Sequence, residues 1–277
     1  MNNTVGKLWV VATPIGNLED LSPRAQKVLK SVNLIAAEDT RHSQSLLAHF
    51  GISTRMIALH EHNERTESAR LVEMMHQGAE IALISDAGTP LISDPGFRLV
   101  RAAQAEDIVV SPVPGPCAAV AAISVAGLPS DRFVFEGFLP TKSKARRAHL
   151  ASFTTETRTL IFYESSHRIM ETLVDCAAVF GANRQAVLAR ELTKLFETIR
   201  DDSLAGLIQV LEKDPNQKRG EFVLLIAGAR EEESDPQLAE GRRIFDILRT
   251  ELPPSQAAKL AAAITGAARK SLYEEAR

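Results

Sequence analysis

Apolar residues in this chain fall into short, unbroken runs, and each run ends in a polar turn rich in glycine, proline or hydroxyl groups. Leu8-Trp9-Val10-Val11-Ala12, residues 32–37 and Ile81-Ala82-Leu83-Ile84 are too short for helices and do not alternate. Such runs read as strands buried on both faces. Helix signals lie between them. Ser22-Pro23 supplies a cap followed by proline at the first helical position. Residues 43–50 are predicted as a helix stopped by Gly51, and residues 64–77 as one stopped by Gly78. A helix from about Gly96, a strand over 108–110 and an alanine-rich helix after Pro116 continue the series. Strands separated by helices require crossover connections, hence a mostly parallel sheet.

Leu128-Pro129-Ser130 reads as a hinge. Beyond it, strands are predicted at 133–135, 159–163, 185–189, 197–200 and 221–227, with helices near 145–153 and 168–180. This second half is richer in strands and is expected to form a second α/β lobe. Residues 230–236 form an acidic linker. Two or three short helices follow, broken and capped at Pro253-Pro254-Ser255. The run of residues 256–261, then Gly266, then residues 269–273 fits a helix-turn-helix or a plain helical hairpin packed on the body. The expected organisation is an N-terminal α/β lobe over 1–127, a C-terminal α/β lobe over 128–229 and a helical module over 236–277.

With 277 residues and 45% hydrophobic content, the chain can bury one large core or two medium ones. No apolar stretch is long enough to span a bilayer, and the first residues carry no export signal. Cys117 and Cys176, far apart in apolar segments, are expected to be buried free thiols, and the protein to be cytoplasmic. The net charge of -3 argues against wholesale coating of nucleic acid but allows local basic patches. Lys142, Lys144, Arg146 and Arg147 form one such cluster. Lys218-Arg219, Arg242-Arg243 and Arg269-Lys270 are others, and a solvated helix face accounts for any one of them alone.

Candidate chemistry concentrates where strands end. The loop Ser85-Asp86-Ala87-Gly88-Thr89-Pro90-Leu91-Ile92-Ser93-Asp94-Pro95-Gly96 follows the 81–84 strand, and Thr13-Pro14-Ile15-Gly16-Asn17-Leu18 follows the first one. Open α/β sheets bind ligands at that edge. Ala37-Glu38-Asp39-Thr40-Arg41, Tyr163-Glu164-Ser165-Ser166-His167-Arg168 and Arg190-Glu191-Leu192-Thr193-Lys194 also follow strands. In the first of these, Asp39 or Thr40 would serve equally well as a helix cap. No Gly-x-Gly-x-x-Gly follows a strand, and neither a P-loop nor a Gly-x-Ser-x-Gly elbow occurs. His60-Glu61-His62 lacks a spaced third ligand and reads as an exposed loop rather than a metal site.

Together, these loops with Pro114-Gly115-Pro116 and Phe135-Glu136-Gly137-Phe138-Leu139-Pro140 resemble the tetrapyrrole methylase superfamily, and within it the branch that methylates ribosomal RNA. The resemblance runs from about residue 7 to residue 229, and the terminal helices resemble that branch's small C-terminal domain. It implies two α/β lobes with a cofactor cleft between them. It also implies transfer of a methyl group from S-adenosyl-L-methionine to the ribose 2′-hydroxyl of a cytidine in the decoding region of small-subunit ribosomal RNA. The implied cofactor residues are Pro14, Asp86, Gly88, Thr89, Ile92, Ser93, Ser124 and Ala227, without a metal. The superfamily's usual Gly-Asp-Pro loop stands here as Gly88-Thr89-Pro90, which removes a carboxylate that Asp86 or Asp94 would have to replace. A base near the hydroxyl would come from Asp39, Glu191 or Lys194. Arg41 and Arg190 would hold phosphates, with Lys142, Lys144, Arg146 and Arg147 along the flanking strand. The implied partners are small-subunit RNA or the 30S particle and a second copy of the chain. The alternatives are a tetrapyrrole methyltransferase of the same superfamily and a non-catalytic RNA-binding assembly factor.

Overall fold

A computed structural model describes residues 5–229 and 236–274. The first sheet comprises β1 (Lys7–Val11), β2 (Leu34–Ala37), β3 (Met56–Ala58), β4 (Glu80–Ile84) and β5 (Val109–Val113), in the order β3-β2-β4-β1-β5. Every pairing in it is parallel, as the crossover helices require. Those helices are α1 (Pro23–Ser31), α2 (Thr40–His49), α3 (Glu64–His76) and α4 (Phe97–Ala105). Both faces are covered: Ile35, Ala82 and Ile84 pack on one side with α1 and α2, and Leu8, Ile81 and Leu83 on the other with α3 and α4. This two-sided burial is why the strands read as continuous apolar runs.

α5 (Ala118–Val125) leaves this lobe and lies on the second sheet, where Ala119, Ala122 and Ile123 pack against Val187, Ala189, Val223 and Leu225. The second sheet is mixed. Its strands β6 (Phe133–Phe138), β7 (Thr159–Ser165), β8 (Gln185–Arg190), β9 (Thr198–Ser203) and β10 (Glu221–Ile226) take the order β6-β7-β10-β8-β9. Only β6 and β7 run parallel. Its outer face carries α6 (Ser143–Ala151), α7 (Ile169–Phe180) and α8 (Leu204–Lys213), packed over Leu160, Phe162, Leu188 and Leu224. Two elements went unread in the sequence. β3 is three residues long, and α8 carries Gly206, which weakens a helical pattern. α2 also begins at Thr40, three residues before the expected start, because Asp39 caps it by accepting from the Arg41 N–H at 2.8 Å.

The C-terminal residues form three helices, α9 (Pro236–Leu248), α10 (Pro254–Thr265) and α11 (Arg269–Glu274), around Leu238, Phe245, Ala257, Ala261 and Leu272. Gly266 ends α10 in the left-handed conformation. Most of the acidic linker, residues 230–235, lies outside the described residues. No helix among the described residues is long and apolar enough to cross a membrane.

Two expectations need correction here. Cys176 is buried, but Cys117 is only half-buried and borders the cleft described below. Arg146 is not part of an RNA-facing patch. It is fully buried on the inner face of α6, where its Nε meets Asp175 of α7 at 2.7 Å and its Nη1 reaches the carbonyls of Pro140 and Thr141. Helical periodicity separates it from its neighbours: Lys142, Lys144 and Arg147 are exposed, although Arg147 also reaches Asp175. Breaking a buried pair from one side is costly, and removing Arg146 leaves Asp175 with only Arg147 and Ser143 while emptying a filled site between α6 and α7. Arg146→Ala is therefore expected to lower unfolding free energy by about 3–5 kcal/mol. Urea denaturation of the variant beside Lys144→Ala, expected to be near neutral, checks this.

Candidate active site

Three loops from the carboxyl edge of the first sheet converge because β1 lies between β4 and β5. Thr13 after β1 and Gly88 after β4 exchange two backbone hydrogen bonds, at 2.8 and 3.0 Å. The Thr89 hydroxyl donates to the Pro116 carbonyl, after β5, at 2.9 Å. This edge faces the second sheet, where the end of β7 pairs with the start of β10. Between them lies a cleft of about 340 Å³. Ile15, Asp86, Gly88, Thr89, Ile92, Ser93 and Asp94 line it from the first lobe, and Phe138, Tyr163, Leu192 and Phe222 from the second. The Tyr163 ring packs edge-on against Phe135 and Phe138, and its hydroxyl accepts the N–H of Ala119 on α5 at 3.1 Å. Burial, aided by Cys117, pushes the Tyr163 phenol far up, so it stays neutral.

One end of the cleft is acidic. Glu38, Asp86 and Asp94 all line it, and the Asp39 N–H donates to Asp86 at 3.1 Å. Burial pushes the Asp94 carboxyl up to about 6, with the charges of Glu38 and Asp86 adding to the shift and a Ser85 hydrogen bond opposing it. Glu38 is raised for the same two reasons, burial first and Asp86 second. At neutral pH, this end presents carboxylates that a bound cation would stabilise.

A second recess of about 380 Å³ adjoins the cleft and shares Ile15, Asp86, Ala87 and Glu221 with it. Pro14, Gly16, His42 and Lys194 line this recess rather than the main cleft. Its carboxylate neighbours are already engaged. Both oxygens of Asp39 bind the Arg41 guanidinium, at 3.1 and 2.7 Å, and that contact holds the carboxyl well below the ordinary range. Lys194 Nζ donates to Glu191 and Glu221, each at 2.9 Å. Burial disfavours charge on Glu191 and on Lys194, but their mutual hydrogen bond and the Glu221 contacts outweigh it. Glu191 is lowered and Lys194 raised.

The expected residues thus divide. Asp86, Gly88, Thr89, Ile92 and Ser93 converge on the cleft, with Pro14 and Lys194 next door. Ser124 is exposed near the end of α5, donates to the Ala121 carbonyl and lies outside both linings. Ala227 is also outside them, its N–H bound to the Gln185 carbonyl. Arg190 is spent on the chain itself, donating to the carbonyls of Arg219, Phe196 and Asn216. Arg41 is highly exposed but paired with Asp39. Glu38, Phe138, Tyr163 and Phe222 were not singled out from the sequence. Tyr163 and Glu38 stood within strand-end motifs and Phe138 within the 135–140 segment; Phe222 looked like an ordinary strand apolar position. The rings of His60 and His62 meet edge-on, and no group of three potential ligands gathers among the described residues.

Residues 7–208 match the family described as Tetrapyrrole (Corrin/Porphyrin) Methylases, and residues 235–276 match the RsmI C-terminal HTH domain. The chain belongs to the tetrapyrrole methylase family. Within it, the chain is 59% identical to the ribosomal RNA small subunit methyltransferase I of Xylella fastidiosa (strain Temecula1), covering 98% of this chain and 99% of that one. It is 51% identical to the protein of the same name from Escherichia coli O157:H7, covering 99% and 96%. Among solved structures, it shares the fold of uroporphyrin-III-C-methyltransferase from Thermus thermophilus, with a TM-score of 0.54, 20% identity, and 80% and 94% coverage. It likewise shares that of a diphthine synthase, with a TM-score of 0.59, 14% identity, and 82% and 92% coverage.

The acidic end of the cleft gives a direct test of its electrostatics. Asp94 is expected to titrate near 6 by carboxyl-carbon NMR. Glu38→Gln should lower that midpoint without returning it to 3.8, because burial is the larger cause. The folded protein holds this proton more tightly than the unfolded chain. Asp94 therefore costs stability as pH rises from 3.8 through about 6. Asp94→Asn should flatten that part of the stability profile.

Proposed function

We propose that this protein uses S-adenosyl-L-methionine to methylate the ribose 2′-hydroxyl of a cytidine in the decoding region of small-subunit ribosomal RNA. The observation that carries the reading is similarity along nearly the whole chain, helical module included, to relatives named for small-subunit ribosomal RNA methylation. A tetrapyrrole acceptor would have no use for that module. We further propose a homodimer acting on the 30S particle in the cytoplasm.

The cleft fits the cofactor on its own terms. Its volume is in the range of small-molecule sites, its walls are largely apolar, and its acidic end suits a cationic ligand. Asp86 or Asp94, both of which line the cleft, would supply the carboxylate that the Gly88-Thr89-Pro90 sequence lacks. When bound, the cofactor supplies an activated methyl group on a sulfonium. The residues of the chain then have to align the acceptor and exclude water, and alignment alone is worth roughly 7–11 kcal/mol. Gly88, Thr89, Ile92 and Ser93 would hold the cofactor, and the adjoining recess would take the acceptor. Asp39 and Glu191 stand one hydrogen bond behind the lining residues Asp86 and Lys194. Because all three candidates are ionised and paired, we assign Asp39, Glu191 and Lys194 to placing the acceptor, with its proton passing to solvent. Lys142, Lys144 and Arg147, with Arg41, would steer the RNA backbone.

Mapping of methylated nucleotides on small-subunit RNA by mass spectrometry, with and without the gene, tests the reading. The expected result is one cytidine that loses its 2′-O-methyl group. Asp39→Asn and Glu191→Gln should each leave single-turnover rates well above the roughly 10²–10⁴-fold loss that follows removal of a positioned base. Gly88→Val should abolish binding of S-adenosylhomocysteine in calorimetry. The residue has φ 81°, and a Cβ there would sit 3.3 Å from Ile15. Replacing Lys142, Lys144 and Arg147 together should weaken RNA binding and lower its salt slope by roughly 0.7 per lost single-strand contact. Cofactor affinity should not change.

A further inference from the structure

The first turn of α4 has no cap of its own. Its N-cap is Gly96, at φ 122°, where a Cβ would collide with Leu83 at 2.6 Å. The missing acceptor comes from Glu64, the first residue of α3. Its Oε1 accepts the N–H of Gly96 at 2.9 Å and that of Arg98 at 2.8 Å, and its Oε2 lies 3.8 Å from Arg98 Nε. Glu64 is only 6% exposed. A carboxylate is kept at such a depth where its charge is met, and the free N–H groups of a helix start meet it.

The 85–96 loop ahead of α4 needs this support. Gly88, Leu91, Ser93 and Gly96 all have positive φ, and at a non-glycine residue that costs on the order of 1–3 kcal/mol. The upstream half is tied by the Thr13–Gly88 pair and the Thr89–Pro116 bond. The downstream half is tied by Glu64. Between these anchors, Ser93 rests against Gly137 of the second lobe, where an added Cβ would meet its hydroxyl at 2.7 Å, and Asp94 lines the cleft.

We infer that Glu64, which lines neither the cleft nor the recess, is a positioning residue for the cofactor loop. Its buried carboxylate fixes the downstream end of the loop so that Ser93 and Asp94 face the second lobe. The inference rests on the reading that the cleft binds S-adenosylmethionine.

The test uses the full-length protein and S-adenosylhomocysteine as probe, with affinity read by calorimetry and Asp94 by carboxyl NMR. Glu64→Gln keeps an acceptor oxygen at the same reach, whereas Glu64→Asp withdraws it by one methylene and Glu64→Ala removes it. The alanine and aspartate variants should bind about tenfold more weakly, about 1.4 kcal/mol, the scale of one lost cap. The glutamine variant should retain most of the affinity. In Glu64→Asp, the Asp94 midpoint should also fall from about 6 toward 3.8 as the loop opens to water. General loss of stability, followed by urea midpoints, would not move that one carboxyl selectively. Should Glu64→Ala fail to fold, the aspartate and glutamine pair decides. Parent-like affinity together with an unmoved Asp94 midpoint in Glu64→Asp overturns the inference. Failure of the wild-type protein to bind the probe overturns the cofactor reading instead, and the Asp94 titration then decides whether Glu64 places the loop.

Discussion

The packing of α5 across the lobes is the contact on which the site depends. The helix is reached from the edge of the first sheet through Pro114-Gly115-Pro116, yet its buried face rests on the second. Alanine at 119 and 122 lets the helix backbone lie close to Val187, Ala189, Val223 and Leu225, where larger side chains would hold it off. One polar contact fixes its start, the Ala119 N–H bound to the Tyr163 hydroxyl. Because Tyr163 is itself a wall of the cleft, the same bond that joins the lobes also orients an aromatic lining residue. A shift of α5 would carry both with it.

With the lobes held in this way, the loops after β1, β4 and β5 can form one surface. Parallel order puts β1 between β4 and β5, so loops far apart in sequence become neighbours and tie to one another through Thr13, Gly88, Thr89 and Pro116. The 85–96 loop accepts left-handed backbone at Leu91 and Ser93 as the consequence of being shaped by its surroundings. Its carboxylates show the electrostatic counterpart. Glu38, Asp86 and Asp94 crowd one end of the cleft, and burial raises Glu38 and Asp94 there, whereas Asp39, Glu191 and Lys194 next door are held by oppositely charged partners. The first group concentrates negative charge, and in the second each charge already has a partner. A cationic small molecule in the cleft and an anionic polymer outside it are both compatible with that division.

Much of the fold was written locally. Short apolar runs covered on both faces, caps such as Ser22-Pro23 and stops such as Gly51 determined the alternation of strand and helix in the first lobe, since each depends on a few adjacent residues. The strand-end loops were legible as a site because glycine, proline and acids clustered where packing alone does not ask for them. The sequence could not show which of those residues share a wall. Tertiary structure sent Arg146 into the core while its neighbours Lys144 and Arg147 stayed outside, because the inner face of α6 meets Asp175 on α7. It spent Arg190 on backbone carbonyls that include those of Arg219 and Asn216, more than twenty residues away. It also brought Tyr163, Phe138 and Phe222, from three different strands, to one wall of the cleft. The physical reason is the same in each case. Strand and helix formation answer to neighbours within a few residues, but the charge and accessibility of a side chain answer to partners tens of residues away.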